Sequence, residues 1–283
     1  MALFEIVPNF SEGRDPAFLE LAAATAEESG ARVLHATADA VHHRSVLTVA
    51  GTGDEVLKAG IALAAMAAGR IDLRRHRGVH PRIGALDVLP FVPLRGADLR
   101  DAAALAHRAG DAIWKRYRIP SYYYGAAARR QDRRNLADLR RGQFEGLDAR
   151  FADPRWDPDE GDVAKHESAG AIAIGARDVL IAFNVELASD DLAAARGIAR
   201  AVRERDGGLC GLRALAFPTV AGRVAVSLNV TDFHATPLYR VVELIARLAA
   251  ERGIKLERSE LIGCLPLAAV EETAAYYLGV TST

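Results

Sequence analysis

Two successive runs of short apolar strands and capped helices, each in the order strand, helix, strand, strand, helix, strand, predict an α/β (α+β) chain of two ferredoxin-like βαββαβ subdomains. The strand-like runs are short and stop at Pro, Gly or Asn. Proline stands just inside, and glycine just past, the first helix-like segment. With 283 residues, half of them apolar (50%), the chain can fill two cores. The division is expected between residues 177 and 178, giving subdomains 1–177 and 178–283. A ligand groove is expected between the two sheets, because domain junctions are common binding sites.

In the first half, Leu3 to Val7 reads as a strand ending at Pro8-Asn9. Asp15 caps a helix that has Pro16 at its first position, and Gly30 closes it. Arg32 to Thr37 and Ser45 to Ala50 read as strands, and Asp54 as the cap of a helix running to about Ala68. Ala85 to Leu94 is the next strand, Asp98 to about Tyr117 a helix, and Tyr122–Tyr124 a β-favouring aromatic run. Arg129 to Arg150 is Arg-rich and reads as an exposed helix whose basic face is solvated or forms an anion funnel beside the loop 161–170; Phe151 to Asp162 reads as a loop and Ala171 to Ile174 as a strand.

In the second half, Val179–Val185 is a strand and Ser189 caps a helix through about Arg205. Leu212–Phe217 and Arg223–Val230 are strands joined at Ala221-Gly222. Pro237 starts a helix ending before Gly253, Ile254–Glu257 is a strand, and Leu267 to about Leu278 is a last helix.

Composition narrows the function. The net charge of −1 argues against a nucleic-acid partner. No apolar stretch reaches membrane-spanning length, so no membrane partner is expected. Met1 leads directly into a strand-like run, and Cys210 and Cys264 form no disulfide framework; both point to the cytoplasm. A homodimer is the expectation for such an enzyme. Gly-x-x-x-x-Gly-Lys-Ser/Thr and Gly-x-Gly-x-x-Gly are both missing, which disfavours phosphate loops. His42 and His43 point to opposite faces of a strand, so they form no metal pair, and no metal is expected.

The most informative segment is Arg77-Gly78-Val79-His80-Pro81-Arg82, which feeds the strand at Ala85. Gly78 lets the chain bend and Pro81 fixes it, which would present His80 at the lip of a sheet. Imidazole takes and gives protons near neutral pH, so His80 is the candidate acid and base. Asn9 and Ser11, in Val7-Pro8-Asn9-Phe10-Ser11-Glu12-Gly13, stand where the chain leaves the first strand and could contact a ligand or stabilise the turn. Gly161-Asp162-Val163-Ala164-Lys165-His166-Glu167-Ser168-Ala169-Gly170 is a polar loop of the kind that often carries function. Arg44 or Arg82 could hold a carboxylate bidentately or serve a structural ion pair.

Taken in order, these segments resemble the formiminotransferase family. The resemblance runs from Val7–Gly13 through Arg44-Ser45-Val46-Leu47-Thr48 to its most specific block, His80-Pro81-Arg82-Ile83-Gly84-Ala85-Leu86-Asp87-Val88-Leu89-Pro90-Phe91. It continues at Gly125–Arg129, Gly175-Ala176-Arg177, Leu180–Val185 and Ser259-Glu260-Leu261-Ile262-Gly263. It implies the family's transferase domain without its cyclodeaminase domain, in two α/β subdomains. It implies transfer of a formimino group from N-formimino-L-glutamate to N5 of tetrahydrofolate in histidine breakdown. It also implies a catalytic histidine at His80 and a folate-contacting loop at Gly161–Gly170, with folate as co-substrate and no metal. Alternatives are another donor such as formiminoglycine, or a folate-binding homologue with little catalysis. One departure stands out: the family usually has aspartates where this chain has His35 and Thr37, and asparagine where it has His43. Asp39, the next acid, is the expected catalytic partner of His80, because a carboxylate can steady an imidazolium.

Overall fold

The structure, a computed structural model, describes residues 1–280 apart from Val41, Val79 and Val220. The chain divides into two compact units, Met1–Arg177 and Asp178–Thr283.

The first unit begins with β1 (Leu3–Ile6), continued beyond Pro8 by the short β2 (Asn9–Phe10). Then come α1 (Pro16–Glu27), β3 (Arg32–Asp39), β4 (Arg44–Thr52), α2 (Gly53–Arg70) and β5 (Leu86–Pro93). The Asp15 side chain caps α1 as the sequence indicates, whereas α2 is capped two residues earlier than expected. There Thr52 and Glu55 form a reciprocal capping box, which satisfies two orphan donors where Asp54 would satisfy one.

These strands make the antiparallel order β3-β4-β1-β5, the arrangement expected for a split βαβ unit. The sheet does not stop there. After β5, α3 (Leu99–Tyr117) crosses over, and β6 (Ser121–Gly125) and β7 (Ile172–Ala176) extend the sheet in parallel. β5 is buried along nearly its whole length and β7 along all of it, as strands of a parallel, two-sided layer must be. Ile6, Leu47, Leu63, Leu89 and Phe91 form the centre of the core with no exposed surface. Each contributes about 1.5–3 kcal/mol by leaving water.

Between β6 and β7 the Arg-rich segment is not the single exposed helix expected. It forms two one-turn helices, α4 (Leu136–Leu139) and α5 (Leu147–Arg150), and 3₁₀ turns. Gly142 takes a positive φ of 84° and Gln143 one of 56°, which no continuous helix accommodates. Its arginines also have acids to reach: Arg133 is buried against Asp159, Arg129 pairs with Glu160, and Arg140 pairs with Asp87.

The second unit runs β8 (Ile181–Leu187), α6 (Leu192–Val202), β9 (Leu212–Pro218), β10 (Val224–Val230), α7 (Leu238–Ala250), β11 (Leu256–Ile262) and α8 (Leu267–Leu278). Its four strands are antiparallel in the order β11-β8-β10-β9, the ferredoxin-like pattern in its bare form. Two boundaries differ from expectation. Asp191 caps α6 in place of Ser189, accepting from both Ala193 and Ala194 N–H groups. β11 extends to Ile262 rather than ending at Glu257, because an edge strand paired only with β8 tolerates the charged run Glu257-Arg258-Ser259-Glu260. Among the described residues no helix is long and apolar enough to cross a membrane.

Candidate active site

Three loops of the first unit meet at one end of its sheet: the turn after β2, the β3–β4 connection, and the segment before β5. Two glycines allow the close approach. A Cβ on Gly13 would lie 2.4 Å from the Asp39 carbonyl oxygen and 2.5 Å from the Arg44 nitrogen. A Cβ on Gly78 would lie 2.9 Å from both the His42 carbonyl oxygen and the His43 Cβ. Glu12 ties the first turn together by accepting from the N–H groups of Gly13, Arg14 and Asp15 at 2.7–3.1 Å. His43 sits at φ 52°, a left-handed conformation that histidine, like asparagine, adopts more readily than most residues.

His80 is partly buried in this junction, and Arg44 Nη1 donates to its Nε2 at 2.8 Å. A guanidinium has no lone pair to offer, so Nε2 is the acceptor and the ring is neutral. Burial is the main cause that pushes the His80 pKa down to about 2, followed by the charges of Arg44, Arg140 and His42; a hydrogen bond with the Pro81 backbone acts the other way. Arg44 lies at the start of β4, opposite Asp39 on β3. Its own pKa is lowered, first by burial and then by Arg140. Among the described residues it makes no ion pair.

The neighbouring acids are engaged elsewhere. Asp87, 3% exposed, accepts from the Ile83 N–H at 2.7 Å and pairs with Arg140. Asp39 receives the His42 Nδ1 at 2.6 Å and the His42 backbone N–H at 2.9 Å. Asp39 is thus connected with His80 through His42, whose charge bears on the ring, and through Arg44, on which the Asp39 charge acts. Thr37 and His35 lie on β3, opposite Val46 and Thr48.

A second Arg–His pair lies beside the first. Arg82 Nε donates to His76 Nδ1 at 3.0 Å, and its two terminal nitrogens grip Glu145 at 3.0 and 2.7 Å and Gln143 at 2.9 Å. His76 stacks on His43 with ring centroids 4.3 Å apart. Burial lowers the pKa of both rings, and the hydrogen bond from Arg82 lowers that of Glu145. Arg82 thus already holds a carboxylate, whereas Arg44 makes no ion pair among the described residues and can take one from a ligand. Arg82, His76 and Gly78 wall an open groove of about 750 Å³ together with Arg14, Arg74 and Arg77. Its volume suits a small-molecule site, and its wall is strongly basic.

The remaining candidate residues take more structural places. Ser11 Oγ donates to the Gly84 carbonyl at 2.7 Å, which ties its turn to the segment before β5, and Asn9 Nδ2 donates to the Val7 carbonyl at 2.8 Å, which holds the local turn. In the loop from Gly161 to Gly170, Gly161 packs against Trp114 and Pro120, and Asp162, Val163 and Ala164 are exposed. Lys165 pairs with Asp148 at 2.6 Å. His166 and Gly170 exchange backbone hydrogen bonds at 2.9 Å, and His166 Nδ1 accepts from the Ala169 N–H at 3.1 Å. Ser168 accepts from the Leu73 N–H, and Glu167 pairs with Arg74, which brings the loop to the rim of the groove. Among the described residues no cluster of three or more His, Cys, Asp or Glu is placed to hold a metal ion.

The chain matches the formiminotransferase domain, N-terminal subdomain, over residues 3–177 and the formiminotransferase domain over residues 182–282. The chain belongs to the formiminotransferase family. The glutamate formimidoyltransferase of Thermoplasma acidophilum is 39% identical over 282 residues, covering 98% of this chain and 93% of that one. That of Streptococcus pyogenes serotype M1 is 37% identical over 280 residues, covering 98% and 94%. The formimidoyltransferase-cyclodeaminase of Gallus gallus is 36% identical, and its matching part is 52% of that chain. The family read from the His80–Phe91 block and its flanking segments is therefore the right one. Sequence reasoning did not single out Arg140, Glu145 and His76 as parts of this site. Arg140 and Glu145 lie some fifty to sixty residues from their partners, inside a segment that reads as solvated.

Proposed function

We propose that this chain transfers the formimino group of N-formimino-L-glutamate to N5 of tetrahydrofolate, with His80 as the acid and base. Relatives named for glutamate, similar over nearly the whole chain, favour this donor over formiminoglycine. The observation that carries the reading is the His80–Arg44 pair: a neutral imidazole beside a guanidinium that makes no ion pair among the described residues.

The reaction forms a bond from N5 to the amidine carbon and breaks the bond from that carbon to the glutamate nitrogen. His80 accepts the proton that N5 loses and delivers one to the departing nitrogen, so the amine leaves neutral and the ring ends as it began. No covalent enzyme intermediate is required. Arg44 pairs with a carboxylate of the donor, a role its fork of N–H groups suits. Arg14, Arg74 and Arg77 give the groove a potential that attracts anionic substrates, tetrahydrofolate among them. Asp39 orients His42 beside His80 and is proposed to act through it, in place of the carboxylates that the resemblance puts at His35 and Thr37. The loop from Gly161 to Gly170 is proposed as the folate-contacting rim.

The test is product analysis. Purified protein given tetrahydrofolate and formiminoglutamate should yield 5-formiminotetrahydrofolate and an equal amount of glutamate by mass spectrometry. Tight folate binding without glutamate release would replace this reading with that of a folate-binding homologue.

A further inference from the structure

Arg44 spends the lone pair that His80 needs. Its Nη1 lies 2.8 Å from Nε2, and a guanidinium keeps its protons at any working pH, so the bond has one direction. While it stands, Nε2 cannot accept a proton from a nucleophile. The other ring nitrogen offers no substitute, because in a neutral imidazole whose Nε2 accepts, Nδ1 carries the proton and has no lone pair to give.

The guanidinium is itself in an unsettled position. Arg82, Arg133 and Arg140 of this unit each hold a carboxylate: Glu145, Asp159 and Asp87. Arg44 makes no such pair among the described residues. Around it and His80 stand Arg140, from the segment after α4, and His42, from the β3–β4 connection. The acids within range are Asp87 on β5, bound to Arg140, and Asp39 at the end of β3, bound to His42. A partly buried cation among other cations, bonded to a neutral ring, gains most from an arriving anion.

We propose that Arg44 is a latch on His80, opened by a carboxylate of the formimino donor. The carboxylate takes the guanidinium bidentately and draws it off Nε2, freeing the ring to accept a proton. It also sets a negative charge beside the ring, which favours the imidazolium that forms during transfer. Recognition of an anionic donor and activation of the base are then one event, and a donor without a carboxylate leaves the latch shut. No bond other than hydrogen bonds is made or broken in this step. The inference rests on the transferase reading above and adds to it a reason for donor specificity.

The kinetic experiment compares N-formimino-L-glutamate with N-butylformamidine, an amidine lacking carboxylates, on the wild type and on Arg44→Met. The wild type should prefer the anionic donor by about a thousandfold or more in kcat/KM. Arg44→Met should lose about a hundredfold on that donor, the size of a lost bidentate ionic contact, and should gain about tenfold on the neutral one, because its His80 is free. An equal loss on both donors would make Arg44 merely structural and overturn the latch.

A second measurement needs no variant. With ¹⁵N-labelled histidine and His80 assigned by comparison with His80→Gln, the reaction product L-glutamate is added to the wild type. The Nε2 resonance should lose its hydrogen-bond shift, and the ring should titrate at least about one pH unit higher, tenfold in proton affinity. A His80 signal unmoved at saturating glutamate, or no glutamate binding at all, would overturn the proposal. If the wild type transfers from neither donor, the transferase reading fails, and the NMR result still decides whether an anion opens the Arg44–His80 contact.

Discussion

The two Arg–His pairs of the first unit are built from the same residue types within one loop cluster and differ in one thing. Arg82–His76 is completed by Glu145, which neutralises the guanidinium and occupies both of its terminal nitrogens. Arg44–His80 has no such third member among the described residues. A neutralised pair has no net charge left for an anion and shapes the groove wall instead. A pair left with net charge has its strongest interaction still to make, and that is the condition of a binding site.

The largest expected difference is catalytic. His80→Ala should lower turnover by about 10² to 10⁴ while leaving the thermal midpoint close to that of the parent. His76→Ala should lower the midpoint while the folded fraction keeps most of its turnover. Rate assays beside thermal melts on both variants check this, and similar behaviour of the two would erase the distinction between the pairs.

Stability should then separate the arginines in the opposite sense. Arg82→Met removes hydrogen bonds to His76, Gln143 and Glu145 and should cost about 1–3 kcal/mol; the figure stays low because Glu145, 59% exposed, can return to water. Arg44→Met removes a partly buried charge that makes no ion pair among the described residues and should be neutral or stabilising. Urea unfolding of both variants gives the two numbers. A loss of equal size in each would show that Arg44 already has its compensation in the free protein.

Acid should expose the histidines. His43, His76 and His80 all have lower pKa values in the fold than the ordinary 6.5, with burial as the leading cause. Below that value the unfolded chain binds more protons than the fold does. Their contribution to stability is thus fully present above about pH 6.5 and is lost as pH falls toward the folded pKa values. The urea midpoint should fall with pH in this window, and His76→Gln should make the slope shallower. An unchanged slope would mean that His76 is not held neutral by its neighbours.

The smallest effect is expected at Asp39. Its described bonds go to His42, and its side chain is 47% exposed. Asp39→Asn should reduce turnover by about two- to tenfold, by loosening His42 rather than by removing a partner of His80. A loss comparable to that of His80→Ala would place the carboxylate in the proton path. Thr37→Asp would then be the informative companion, since it restores the acid that the family resemblance puts there.

Much of this was legible from local chemistry. The strand and helix order, the Asp15 cap, the βαββαβ pattern and the prominence of His80 follow from periodicity, capping residues and a Gly–Pro-bracketed turn, all of which act within a few residues. The parallel extension of the first sheet was less legible: β7 pairs with β5 across some eighty residues, and an apolar run does not name its partner. The Arg-rich segment misleads for the same reason. Arg133 and Arg140 look like a solvated face until the fold brings Asp159 and Asp87 to them.

The sequence by itself determined the strand and helix order outside the Arg-rich segment, which family the chain belongs to and which histidine leads the active-site candidates, because those depend on residue order and short-range preference. Only the tertiary structure decided which arginine is spent and which is free. Arg44 and Arg82 are alike as letters, and each stands near a histidine. Glu145 reaches one of them from sixty-three residues away, and no carboxylate among the described residues reaches the other. Charge compensation is a property of distance in space, and chain order does not encode it locally.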